Sequence, residues 1–234
     1  MILLHETFQI VHGGLDEFEE AYWDEVVPHV RAIDRIEPLW FLRQRTGIEG
    51  EFAIALTALR SGDDLGTYTR WMSGSEGAAW RTTTQRLTSA FQRKALLAAP
   101  WSPFHSWEDL APALESRGQD RRMFMEDTGW PYVSVADYVD FQRREYWEPL
   151  QKWASSGVAA VVKLWGFFLV APGTGHRPEA IFIQEIMNDS ALERLIGEPE
   201  VYDPDSFPGS YMVHGLIYRD QWRSRLMVAS QPRD

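Results

Sequence analysis

Hydrophobic and polar residues alternate from Leu3 to Val11, with Leu4, Phe8 and Ile10 on one side and His5, Thr7 and Gln9 on the other. Such a period of two predicts a strand. Gly13-Gly14 ends it, and Leu15, Phe18, Tyr22, Val26, His29 and Ile33 then recur at helical spacing, with Pro28 inside the run. The pattern next predicts a strand over Leu39–Arg45, a glycine turn, and a strand over Glu51–Arg60 at hairpin spacing. In that third strand Phe52, Ile54 and Leu56 oppose Ala53, Ala55 and Thr57, a bulky face against a small one that leaves room for another group. A helix through about Trp71, a longer helical run from Glu76 to Lys94 and a fourth strand over Leu96–Phe104 complete the series.

The order then restarts. A strand over Arg122–Thr128 leads through a turn at Gly129-Trp130-Pro131 into a helix over Ser134–Trp153, with Ser134 and Asp137 spaced as a capping box. Strands over Ala159–Val170 and Ala180–Met187, a helix near Ser190–Ile196 and a last strand over Tyr211–Arg219 follow. Tyr22-Trp23-Asp24-Glu25 is echoed by Tyr146-Trp147-Glu148-Pro149, 124 residues on, and Leu39-Trp40 by Leu164-Trp165, 125 residues on. Two tryptophan landmarks in register read as a duplicated β-α-β-β-α-β unit, the ferredoxin-like arrangement. The expected fold is therefore α+β: units at 1–105 and 121–234, joined by a linker at 106–120, pack as a dimeric α/β barrel within one chain.

Composition narrows the function. A net charge of −11 disfavours nucleic acid and anionic membrane surfaces as partners. The absence of cysteine removes thiolate chemistry and disulfides and agrees with a reducing, cytoplasmic setting, and the start lacks a basic leader. Eleven tryptophans exceed what a core of this size needs, and flat side chains make good walls for flat ligands.

Thr7-Phe8-Gln9-Ile10-Val11-His12-Gly13-Gly14-Leu15-Asp16-Glu17-Phe18 is similar to the opening of NIPSNAP-like proteins, where a strand R-T-Y-x-L-x-P-G precedes a helix beginning L-x-E-F. Glu6 stands where that family has arginine and His12 where it has proline; Leu96 to Phe104 resembles the strand after its second helix. The resemblance implies a dimeric α/β barrel. Its wider superfamily includes antibiotic-biosynthesis monooxygenases, some cofactor-free, ring-opening oxygenases that use reduced flavin, and haem proteins of the chlorite dismutase type. It thus implies an oxygenase acting on a polycyclic aromatic, polyketide-like compound, with reduced FAD or FMN or no cofactor, in a monomer or homodimer. The other reading is a non-catalytic binder of a small molecule or a partner protein. No glycine-rich dinucleotide signature is present, so a flavin would sit inside the barrel.

No hydrolase, P-loop or paired-histidine metal motif occurs, so single residues carry the candidate chemistry. His5, on the face opposite the helix-packing residues, is the first acid-base candidate. His29, sharing a stripe with Tyr22, is the second; Arg43, with Arg45 beside it, is a candidate oxyanion stabiliser. Tyr22, Trp40, Trp165 and His214 are candidate substrate contacts, the tryptophans as stacking walls. His12 and His176 lie in exposed turns. Glu6 and Glu126 occupy similar places in the two first strands and read as buried polar contacts. No metal site is expected.

Overall fold

A computed structural model describes residues 1–44, 50–115, 122–155, 162–187, 190, 193, 203, 205 and 209–230. The first half runs β1 (Ile2–Ile10), α1 (Leu15–Ala21), a π turn (Tyr22–Val26), α2 (Val27–Arg31), β2 (Ile36–Gln44), β3 (Phe52–Leu59), α3 (Gly62–Ser73), α4 (Ala78–Leu87) and β4 (Thr88–Ala98). After α5 (Leu110–Glu115) come β5 (Met123–Pro131), α6 (Val135–Gln142), a second π turn (Arg143–Trp147), α7 (Glu148–Ser155), β6 (Val162–Val170), β7 (Ala180–Ile186), α8 (Gly209–Gly215) and β8 (Arg219–Ser230). No helix among the described residues is long and apolar enough to cross a membrane.

The strands form a closed ring in the order β1-β3-β2-β8-β5-β7-β6-β4, every neighbour antiparallel. Each half contributes four strands in the same order, β4-β1-β3-β2 and β8-β5-β7-β6. Closure leaves no free edge. It also sets β1 and β5 four places apart, on opposite walls and running in the same direction.

Alternation sorts the side chains. Leu4, Phe8 and Ile10 face the helices with Phe18, Tyr22 and Trp80, whereas Leu3, Leu56, Trp40, Phe124 and Trp165 share the cluster inside the barrel. The small residues Ala53 and Ala55 lie on the helix side, so the room they leave is filled by helix aromatics. Their bulky opposites Phe52, Ile54 and Leu56 fill the interior. Leu110 and Ala113, within the segment expected as a linker, belong with Phe104 just before it to the interior cluster.

Four expectations from periodicity are corrected. The helical run to Lys94 stops at Leu87, and Thr88–Ala98 is the fourth strand, because its groups complete the ladder with β1, Phe8 opposite Phe91. β5 runs through Gly129-Trp130-Pro131 instead of turning there. The last strand is Arg219–Ser230, while Tyr211 and Gly215, four residues apart, mark the buried face of a helix. Finally, the π turn at Tyr22–Val26, closed by Val27 N–H donating to Tyr22 O, inserts one residue into the helix. The buried stripe therefore moves from the expected His29 to Val27 and Val30. Arg45 and most of the helix expected near Ser190–Ile196 lie outside the described residues.

The displaced stripe is testable. Val30→Asp should cost about 3 kcal/mol or more in urea unfolding, because it buries an unpaired carboxylate, while His29→Asp should stay within about 0.5 kcal/mol.

Candidate functional site

The two opposed strands bring one histidine and one carboxylate together inside the barrel. His5 on β1 is 1% exposed, flanked in register by Leu56 and Lys94. Its Nε2 lies 3.9 Å from Oε1 of the fully buried Glu126 on β5. Glu126 Oε1 accepts from the Thr128 hydroxyl at 2.7 Å, and Oε2 accepts from Arg225 Nη1 at 3.2 Å. Arg223 Nη2 donates to Thr128 Oγ1 at 3.3 Å, and the Arg225 guanidinium lies 4.1 Å over the Phe52 ring. Lys94 is buried and paired with Glu179, just before β7.

Among the described residues neither ring nitrogen of His5 has a hydrogen-bond partner. Burial lowers its pKa to about 4, against the raising effect of Glu126 and with help from Lys94, Arg225 and Arg223. Burial would push the Glu126 carboxyl up, but His5, Arg225, Arg223 and the Thr128 hydroxyl hold it below its usual range. At neutral pH the site is thus a neutral imidazole with free nitrogens beside an ionised carboxylate held by arginine. Chemically that is a base whose protonated form has an anion waiting.

Towards the end where β1 and β5 begin, the interior is aromatic. Trp40 contacts Trp165 and Phe124 at 5.3 Å and Phe104 at 6.3 Å between ring centroids. Trp165 Nε1 donates to Glu185 at 2.9 Å, whereas Trp40 Nε1 is buried without a partner. Towards the other end lie Thr7, Gln92 and Arg223, all half-buried. The site borders this aromatic cluster, and on its other side Thr7 and Gln92 lie alongside Ile54 and Leu42.

Other candidates fall elsewhere. His29 is exposed on α2, stacked 5.9 Å from Trp71, because of the π turn. Arg43 leaves the barrel and pairs with Asp16 and Glu19 of α1 at 2.5 Å, so its charge is already committed. Tyr22 is core between helix and sheet, 4.7 Å from Phe41. His214 is 51% exposed on α8, 3.8 Å from Glu145, not in a strand. Glu6 and Glu126 face opposite sides: Glu6 lies under the helices, accepting from Tyr68 and Arg93, at 2.8 and 2.7 Å. By register the counterpart of His5 is Glu126. Arg223 and Arg225 escape the sequence reading because the last strand is expected over Tyr211–Arg219; the alternation Arg223-x-Arg225-x-Met227-x-Ala229 is the available signal, whereas Thr128, two residues after Glu126 on the same face of β5, carries no signal of its own.

Among the described residues no group of three His, Asp or Glu side chains is placed to hold a metal ion. Flavin and haem both meet obstacles in the same interior. The buried cations Lys94 and Arg225 each face a carboxylate and neither is free for a phosphate, and the aromatic half is occupied by packed rings. His5 Nε2 faces Glu126 too closely for a porphyrin between them. The described interior fits neither group.

The sequence matches no family model and no curated protein. Solved structures share the fold across nearly the whole chain. An anthrone oxidase-like protein has 12% identity and a TM-score of 0.58, covering 99% of this chain and 92% of its own. A proposed monooxygenase from Lactobacillus acidophilus NCFM has 13% identity and a TM-score of 0.54, over 97% and 93%. Chlorite dismutase from Candidatus Nitrospira defluvii, in complex with imidazole, has 12% identity and a TM-score of 0.52, over 98% and 90%. The class defined is thus one of fold, an α/β structure common to these proteins.

The electrostatic account predicts that the His5 ring, followed by NMR, stays neutral until about pH 4. A midpoint between 6 and 7 would contradict it.

Proposed function

We propose that the chain is a cofactor-free oxygenase acting on a polycyclic aromatic phenol or ketone, with His5 as the general base. The observation that carries this reading is the buried, unpartnered imidazole beside the Glu126–Arg225 pair; the reading requires Trp40, Phe104, Phe124 and Trp165, which pack on one another in this structure, to part and admit the substrate rings. The likeness to an anthrone oxidase-like protein and a proposed monooxygenase supports the same choice by analogy of fold. The two halves are read as tandem ferredoxin-like units, packed as the internal counterpart of a dimer.

In this reading His5 accepts a proton from an activated CH2 group, leaving the electron pair delocalised into the aromatic system. That carbanion forms a bond to O2, and the imidazolium returns its proton to the peroxide. Loss of water from the hydroperoxide leaves a carbonyl, so O2 is divided between product and water. The low pKa of His5 describes a proton taken from bulk water. A proton taken from bound substrate leaves the substrate anion beside the imidazolium, and the pair, with Glu126, offsets the cost of burial.

The alternative, a binder without catalysis, is favoured by one feature: the buried interior cations Lys94 and Arg225 are already paired with Glu179 and Glu126. It keeps the ligand and forgoes oxygen consumption. The reduced flavin implied by the family resemblance belongs to a third outcome, in which turnover requires added reduced FAD or FMN.

Oxygen uptake with an anthrone-type substrate, with flavin rigorously removed, separates these readings. His5→Gln should lower kcat about 100-fold or more, the usual contribution of a general base, with unchanged folding by circular dichroism. Equal rates in wild type and variant would remove His5 from the chemistry.

A further inference from the structure

The helix side of the first half holds a groove that makes no use of His5 or of the barrel interior. It measures about 640 Å³ and lies between α2, α3 and the connection to α4, with His29, Ile33, Arg70, Trp71, Ser75 and Glu76 in its walls. Sites for small molecules commonly measure about 300–1,000 Å³. The π turn shapes this one. By moving His29 off the buried stripe it sets the ring beside Trp71, 5.9 Å between centroids and 29° from parallel. Insertions of this kind are frequent at functional sites.

Both rings are held from behind. Trp71 is 7% exposed and rests on Tyr68 at 5.6 Å, so the core fixes it. His29 is exposed, and its Nδ1 lies 2.8 Å from the carbonyl oxygen of Glu25. A carbonyl only accepts, so Nδ1 carries the proton and the bond orients the ring. A third ring between the two needs flanking centroids about 7 Å apart, two contacts of about 3.5 Å, so His29 has about 1 Å to swing outward on its Nδ1 pivot. Only solvent stands on that side.

The polar groups of the groove sort by charge. Arg70 Nη2 donates to Thr67 Oγ1 at 3.1 Å, and the Thr67 hydroxyl donates to Asp63 O at 3.2 Å. That contact lays the guanidinium along α3 without neutralising it, and among the described residues neither Arg70 nor Glu76 forms an ion pair. Arg70 and the Ser75 hydroxyl are donors, and Glu76 is an acceptor. A carboxylate suits the arginine fork. A phosphate dianion would bring a second negative charge near Glu76, and a cation would be repelled by Arg70. The complementary ligand is flat, with one carboxylate and one hydroxyl.

We propose that this groove binds an aromatic carboxylate of one or two rings bearing a hydroxyl group. Its rings lie between His29 and Trp71, its carboxylate meets Arg70 and Ser75, and its hydroxyl donates to Glu76. A titration of the full chain with a hydroxynaphthoate, its two groups on opposite rings, tests this by calorimetry and by the NMR signals of the His29 ring. A saturable shift of those signals is expected. Arg70→Gln should weaken binding about tenfold or more, the worth of a charge-assisted hydrogen bond, and naphthol, lacking the carboxylate, should bind wild type as weakly. His29→Ala should cost about fivefold, the loss of one stacked ring. Both side chains are exposed, so both variants should fold, which circular dichroism checks. No His29 shift at millimolar probe, undiminished binding to Arg70→Gln, or a shift confined to the His5 ring would overturn the proposal.

Discussion

Ring closure governs this molecule, because it forces two opposed strands to share one interior. β1 and β5 each bring a polar residue to the same level, His5 and Glu126, and neither has bulk water to turn to. Removing either from water is costly unless the other, or a third group, compensates. Arg225 and Thr128 settle the carboxylate, and the imidazole is left neutral with its nitrogens free. The neutral, buried state of this imidazole is thus a consequence of topology and burial together.

The helices serve that closure from outside. Phe18, Tyr22, Phe41 and Trp80 form one aromatic layer between helix and sheet, and Tyr146, Phe167, Phe182 and Tyr211 form its counterpart in the second half. Each fully buried aromatic contributes about 1.5–3 kcal/mol relative to exposure. Both long helices carry a π turn at the level of this layer, which re-aims the residues beyond it. Much of the large tryptophan and tyrosine content therefore builds these layers instead of lining a ligand.

Alternation made β1, β3 and the interior position of His5 legible, since one face of each strand is committed to the helices. Alternation left open which member of Leu39-Trp40 and of Leu164-Trp165 faces the interior; in the structure both tryptophans belong to the interior cluster. What could not be read was any departure from strict periodicity. One inserted residue at Tyr22–Val26 moved His29 to the surface. A strand whose helical-looking residues pair with β1 hid β4, and Gly215 within an apolar run hid α8 and with it the true β8. Glu126 was visible but its partner was not, because contact between opposite walls of a barrel leaves no signature in local spacing.

The most direct test is a crystal structure of the complex with a polycyclic phenol or anthrone, formed without oxygen. The account predicts the rings inside the barrel with the acidic carbon or oxygen within about 3 Å of a His5 nitrogen. A ligand found only on the surface, for example in the groove between His29 and Trp71, would contradict it.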